Sequence, residues 1–221
     1  MAISFDKLNG GAVKSEVKYM KLVTGTNTFR ILPDSILPAY TYWVKGASGK
    51  DLPFEALQFN RSTEKFDNKI PCPVRDKGIK DAKGEDINCQ WAYKCQVVNK
   101  ATGAIEILQL KKGILNDIIS VAKQVGFDPT DLDTGTWVTV TRKSTGPKAF
   151  NVEYTLHQLQ CKSAPLEDEF LEKIQGLKSI EELFPKETYE SQTERLDKHI
   201  NGEKKEAEVN SSDQEAIDEL G

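Results

Sequence analysis

Residues 112–126, KGILNDIISVAKQVG, constrain the fold of this chain more than any other stretch. Ile114, Leu115, Ile118, Ile119, Ala122 and Val125 recur at helical spacing and make one apolar face. Gly126 stands where a left-handed C-terminal cap belongs, with Phe127 available to pack back. The segments on either side alternate with a period of two. QWAYKCQVV (90–98), a turn and AIEILQL (104–110) read as one hairpin; TWVTVTRK (136–143), STGPK and AFNVEYTLHQLQ (149–160) read as another. Upstream, VKYMKLV (17–23), GTN and TFRIL (28–32) read as a hairpin ending at Pro33, followed by a strand YTYWV (40–44). Roughly six to eight short strands with one helix between the later hairpins make a mainly β fold, suited to an OB-fold-like Greek-key barrel, with a plain β-sandwich as the alternative.

The barrel core is thereby set at residues 17–162. Residues 1–16, with Gly10-Gly11 and few apolar anchors, are expected to form a flexible arm. Residues 45–89 are rich in Lys, Asp and Gly, with Phe54, Phe59 and Phe66 isolated among them; they read as an inserted excursion or subdomain. After Pro165 the period becomes helical: Leu166, Phe170 and Ile174 share a stripe, and Ser179 with Glu182 makes a capping box. The span 163–209 is assigned to a helical extension and 210–221, NSSDQEAIDELG, to an acidic disordered tail.

Charge follows the same division. Residues 1–162 carry 23 Lys and Arg against 17 Asp and Glu, a net of +6, whereas 163–221 carry 7 against 17, a net of −10. A basic body suits a polyanionic partner, and an acidic end either repels such a partner or imitates it. No apolar run is long enough to span a bilayer, and MAISFDKLNGG lacks the apolar centre of a signal peptide, so a cytoplasmic protein with no membrane partner is expected. Four cysteines, Cys72, Cys89, Cys95 and Cys161, do not make a disulfide scaffold in 221 residues and fit a reducing compartment.

One charge interrupts a strand. In TFRIL, Thr28, Arg30 and Leu32 share one face while Phe29 and Ile31 take the other and suit a core, which leaves Arg30 on the outer surface of the sheet. Tyr40 and Tyr42 share a face opposite Trp43; Trp91, Tyr93, Cys95 and Val97 share a face opposite Lys94. Lys18, Lys21, Lys111, Lys112, Arg142, Lys143 and Lys148 lie on or beside these strands. Rings interleaved with cations are what a single-stranded nucleic acid needs: bases stack at about 1–3 kcal/mol each without regard to sequence, and cations follow the phosphates and release counterions. The competing reading for Trp91 and Tyr93 is plain core.

These residues resemble a known family. NTFRILP is similar to the strand that opens the core of the single-stranded-DNA-binding, helix-destabilising proteins of T-even-like tailed phages. QWAYKCQVVN followed by a hairpin and a helix resembles their Trp-containing strand, and TWVTVTRKSTGPKAFNVEY their closing hairpin. The resemblance covers residues 17–160 and the tail. It implies an OB fold with a basic, aromatic cleft, in which Arg30 meets phosphate, Trp91 lines the cleft and Phe150 stacks. RKST (142–145) matches a string used for phosphates or neighbouring subunits. The tail, through Asp213, Glu215, Ile217, Asp218, Glu219 and Leu220, would dock replication proteins such as a polymerase, helicase or primase and occupy the cleft when DNA is absent. Two departures are plain. The family's zinc-binding Cys-Pro-Val-Cys step reads CPVR at 72–75 and no histidine lies near, so no metal and no other cofactor is expected. The basic N-terminal string that drives cooperative growth is absent, which leaves self-association on DNA as a possibility only.

No phosphate loop, His-Glu-x-x-His or Gly-x-Ser-x-Gly occurs, and DPTDLD (128–133) lacks the Gly and distal Glu of a calcium loop, so it reads as a helix-to-strand connection. With two histidines in the chain, acid–base catalysis has little material, and a non-enzymatic binder is expected. The rival functions are an OB-like protein-interaction adaptor and an RNA-binding protein.

Overall fold

The computed structural model describes residues 17–81, 83–147, 151–157 and 164–202. They divide into two compact units: the larger takes in the described parts of 1–40, 59–65 and 90–186, the smaller those of 41–58, 66–89 and 187–221. Lys148, Phe150, Cys161 and the tail residues from Asp213 to Leu220 lie outside the described residues.

The larger unit is built on one long strand. Strand β1 is Tyr19–Met20 and β2 runs Gly25–Lys45, its last five residues belonging to the smaller unit. In the smaller unit follow β3 (Asp51–Glu55) and, after the short β4 (Phe59–Asn60) and β5 (Lys65–Phe66), helix α1 (Pro73–Asp76). Then come β6 (Gln90–Asn99), β7 (Ala104–Leu110), helix α2 (Lys112–Val125), β8 (Val138–Ser144) and β9 (Val152–Leu156). The sheet order is β1-β7-β6-β2-β8-β9. A first strand shared between a following hairpin and a later one, with a helix between the two hairpins, is the OB arrangement. The mainly β, OB-like reading of the sequence therefore holds, as do the hairpins at 90–110 and 138–156 and the helix with its left-handed Gly126 cap at φ 77°. Ile119 and Val125, expected on the helix's apolar face, are exposed.

The first expected hairpin does not form. Tyr19–Met20 pairs in parallel with Ile107–Leu108, and Gly25–Phe29 pairs instead with 138–142. Asn27 turns the chain between them: its side chain accepts from Val23 N–H at 2.9 Å and donates to the carbonyls of Val23 and Gly25 at 2.8 and 3.0 Å. Nor does Pro33 end the strand. Asp34 at φ 51° makes a bulge there, and the Ser35 hydroxyl lies 2.6 Å from the Leu32 carbonyl and 3.2 Å from that of Gln96, able to donate to either. The bulge shifts the parity of the strand. Before it, Phe29 and Ile31 enter the main core; after it, Ile36 does.

That core holds Met20, Phe29, Ile31, Tyr93, Cys95, Val97, Leu108, Leu110, Val138 and Val140, closed at one side by Ile114, Leu115 and Ile118 of α2. The opposite face of the sheet is covered too. Leu166 and, from helix α3 (Asp168–Gln175), Phe170 pack on Leu32 and Val98, and α4 (Ile180–Leu183), opened by the expected Ser179–Glu182 capping box, lays Ile180 on Leu37 and Ile107.

In the smaller unit, Thr41–Lys45 of β2 pairs with β3. Helix α5 (Tyr189–Asn201) covers the far edge of β3: Gln192 Nε2 donates to the Glu55 carbonyl at 2.9 Å and Arg195 Nη1 to that of Pro53 at 3.2 Å. An edge whose carbonyls are taken in this way cannot template a further strand.

Candidate nucleic-acid interface

Four rings from three strands meet at one end of the larger unit's core. Tyr40 packs edge-on against Phe59 at 4.8 Å and Trp91 at 4.5 Å between centroids; Trp91 meets Phe59 at 5.4 Å and Tyr93 at 5.1 Å. Phe59 and Tyr93 are buried, whereas Tyr40 and Trp91 are half-exposed. The shifted parity of β2 brings Tyr40 here, and the inward face of β6 supplies both Trp91 and Tyr93. Lysines stand over the rings: Lys112 Nζ lies 4.7 Å from the Trp91 centroid and Lys111 Nζ 5.2 Å from that of Tyr154, a half-exposed residue of β9. Both lysines begin α2, whose first turn has no acidic residue and whose N-cap, Lys111, offers no side-chain acceptor. The positive end of the helix dipole thus adds to the two ammonium groups. Burial raises the Tyr93 phenol, with the Glu64 carboxylate acting in the same direction, so the ring stays neutral.

This arrangement offers π-faces at the edge of an apolar core with lysine ammonium groups above them. A base can replace a lysine on a ring while the lysine moves to the flanking phosphate, so the cation is useful both with and without ligand. Arg142 and exposed Lys143 extend the positive surface along the hairpin of β8 and β9; Arg142 Nη1 donates to Thr24 Oγ1 at 2.9 Å.

The structure distributes the sequence candidates unevenly. Tyr40, Trp91, Lys111 and Lys112 come together. Lys18 and Lys21 are exposed near β1. Lys94 faces outward, its Nζ 4.1 Å from the Phe184 centroid. Tyr42 and Trp43 belong to the smaller unit: Tyr42 is buried and accepts from Gln58 Nε2 at 2.8 Å, burial pushing its phenol up to about 12, while Trp43 is exposed beside Pro53 in the ladder. Tyr42 and Tyr93 are therefore core residues and not surface rings.

Arg30 requires the largest correction. It lies on the face opposite Phe29 and Ile31, as its spacing requires, but that face is not open. Arg30 has no exposed surface; Nη1 donates to the Ala164 carbonyl at 3.2 Å and Nη2 to the Asp131 carbonyl. Burial pulls the guanidinium below its ordinary value, while Asp131 and Asp128 oppose that shift. The DPTDLD loop supplies this cradle by folding on itself: Asp131 Oδ1 accepts from Thr134 N–H at 2.7 Å and Asp133 N–H at 3.0 Å, which holds its carboxyl below the usual carboxylate range. Arg30 clamps the loop after α2 to the sheet and presents nothing to a phosphate.

Phe59 and Tyr154 were not among the sequence candidates. Tyr154 carries a readable signal, since Val152, Tyr154 and Leu156 alternate towards the core side of β9; Phe59, isolated in a polar stretch, carries none. The expectation of no metal rested on cysteine spacing. Cys95 sits in the barrel core and Cys72 and Cys89 in the smaller unit, each a free thiol.

No family model matches the chain. Over an alignment of 255 residues, spanning 100% of this chain and 96% of the other, it is 25% identical to the probable ssDNA-binding protein of Escherichia phage T5. The likeness is end to end, so it takes in both units and the whole aromatic cluster.

Proposed function

We propose that this chain is a non-enzymatic, sequence-independent single-stranded-DNA-binding protein of a tailed phage, acting in the host cytoplasm during replication, recombination and repair. The observation that carries the reading is the pair of half-exposed rings Tyr40 and Trp91, with Lys112 over Trp91 and the adjoining Lys111 over Tyr154, at the edge of an OB-like core. The name of the phage T5 relative supports the same ligand. Bases stack on half-exposed rings, lysines neutralise phosphates, and hairpins in the DNA melt because only unpaired strands offer free base faces. Lys143 extends the path along β8, Lys148 and Phe150 are further contacts of the strand, and the acidic end from Asp213 to Leu220 docks replication proteins and competes with DNA. Among the described residues no helix is long and apolar enough to cross a membrane.

Titration with oligo-dT tests this. In a variant with Trp43 and Trp137 replaced by Phe, Trp91 is the only tryptophan left, and DNA should quench its emission with an affinity that falls steeply as salt rises. Unchanged emission, together with no binding by an independent method such as anisotropy of labelled DNA, would remove the proposal.

A further inference from the structure

An OB barrel commonly binds oligonucleotides on the face of its second and third strands. Here those strands are β6 and β7, and the chain covers their outer face with its own residues 176–186. The cover engages the groups a nucleic acid would use. Gln96 Nε2 donates to the Lys178 carbonyl at 2.9 Å, the Lys94 ammonium lies on the Phe184 ring, and Tyr19 meets the same ring edge-on at 6.4 Å. The segment has a strand-like chemistry of its own: Phe184 sits under a lysine as a base would, and Glu181 and Glu182 carry exposed negative charge beside it.

The cover is only partly buried, and two bonds pin its far end: Arg61 Nη1 donates to the Phe184 carbonyl at 2.9 Å and Lys186 Nζ to that of Phe59 at 2.7 Å. A solvent-open cleft of about 240 Å³ runs along it, lined by Lys18, Gln96, Ile107, Leu177 and Leu183 among others. Ile180 alone is deeply buried; Leu177 is exposed, and Leu183 and Phe184 are only partly covered. Gly176 at the start of the segment and Pro185 near its end separate it from the neighbouring helices.

We propose that residues 176–186 are a removable strap: single-stranded DNA held at the Trp91 cluster displaces them and takes Lys94, Gln96 and Tyr19 as a second row of contacts. This rests on the DNA reading of the cluster. It makes the free protein's second binding surface self-covered, with the strap's ring and carboxylates in the places of base and phosphate.

Hydrogen–deuterium exchange on the full chain, with and without saturating oligo-dT, tests the strap. The Leu183 and Phe184 amides, bonded to the Ser179 and Ile180 carbonyls at 3.1 and 3.0 Å, should exchange roughly tenfold faster with DNA, while the stretch around Trp91 slows. Slowing at Trp91 with unchanged or slower exchange at 183–184 overturns the strap and leaves the DNA reading standing. No change at either place, with no quenching of tryptophan emission, overturns both. Independently, Phe184→Ala should tighten oligo-dT binding about threefold or more, and adding Lys94→Gln should cancel the gain. Equal affinity of a folded Phe184→Ala variant and its parent refutes the proposal; if that variant does not fold, the exchange result on the unaltered chain decides.

Discussion

Arg30→Met separates a structural clamp from a phosphate ligand. The guanidinium is fully buried and donates to two carbonyls, those of Ala164 and Asp131. Hydrogen bonds from a charged donor contribute about 1.5–3 kcal/mol each, so the gross loss is about 3–6 kcal/mol. Methionine fills much of the same volume and removes the cost of burying a charge, which offsets several kcal/mol of that loss. The two carbonyls do not suffer equally. Asp131 keeps the Gly135 N–H at 3.0 Å, whereas Ala164 loses the Arg30 donor. Stripping one buried carbonyl costs about 1–3 kcal/mol, and we take about 2 kcal/mol as the net destabilisation. With a urea dependence of about 2 kcal/mol per molar, the unfolding midpoint should fall by about 1 M. Oligo-dT affinity, measured where the variant is folded, should keep the same dependence on salt. A residue that neutralised a phosphate would instead flatten the plot of log K against log salt by about 0.7. An unchanged urea midpoint together with a flatter salt plot would refute the clamp.

The remaining predictions bear on the interface, the smaller unit and the titratable core. Replacing Lys111 and Lys112 together by Gln should flatten the same salt plot by about 1.4, two phosphates' worth, without changing the unfolding free energy by more than about 0.5 kcal/mol; an unchanged slope places the phosphates elsewhere. Gly46→Ala should destabilise the smaller unit by about 2 kcal/mol, because a Cβ there would stand 2.6 Å from the His199 carbonyl oxygen and 2.5 Å from its Nδ1; an unchanged denaturation curve refutes the packing of α5 on that turn. Burial pushes the Cys95 thiol from 9.0 up to about 12 and the Tyr42 phenol from 10.0 up to about 12. Below pH 9 both the folded and unfolded chains keep these protons; above it the unfolded chain releases protons that the fold retains, so stability should fall as pH rises from 9 towards 12. Cys95→Ala should delay the onset, and denaturation midpoints that stay level from pH 8 to 11 refute the burial argument.

The hairpin at 90–110, the helix that ends at Gly126 and the hairpin at 138–156 were legible because each depends on neighbours in sequence: alternation, turn residues and a glycine at positive φ. What lay beyond local pattern was which face of a strand another part of the chain would cover. Arg30 shows the difference. Its side of β2 follows from a period of two, but its lack of exposure follows from the 128–135 loop and the segment from Ala164, more than a hundred residues away. The bulge at Asp34 shows it again, since a parity shift driven by one residue at φ 51° moves Tyr40 into the aromatic cluster without leaving a motif in the sequence.

The same reasoning sets how DNA is to be approached on this barrel. If the outer face of β6 and β7 were open, the interface would be a flat sheet of alternating rings and cations, as the strand pattern suggests. With Ile180 seated on Leu37 and Ile107, the half-exposed rings that carry or neighbour a lysine of α2 are Tyr40, Trp91 and Tyr154. On the proposed reading, a strand of bases that enters there meets cation-covered aromatic faces first, and reaches Lys94 and Gln96 only by moving Phe184 and the Lys178 carbonyl. The proposed order of contact then follows from the fold, with the stacking site preceding the covered sheet face.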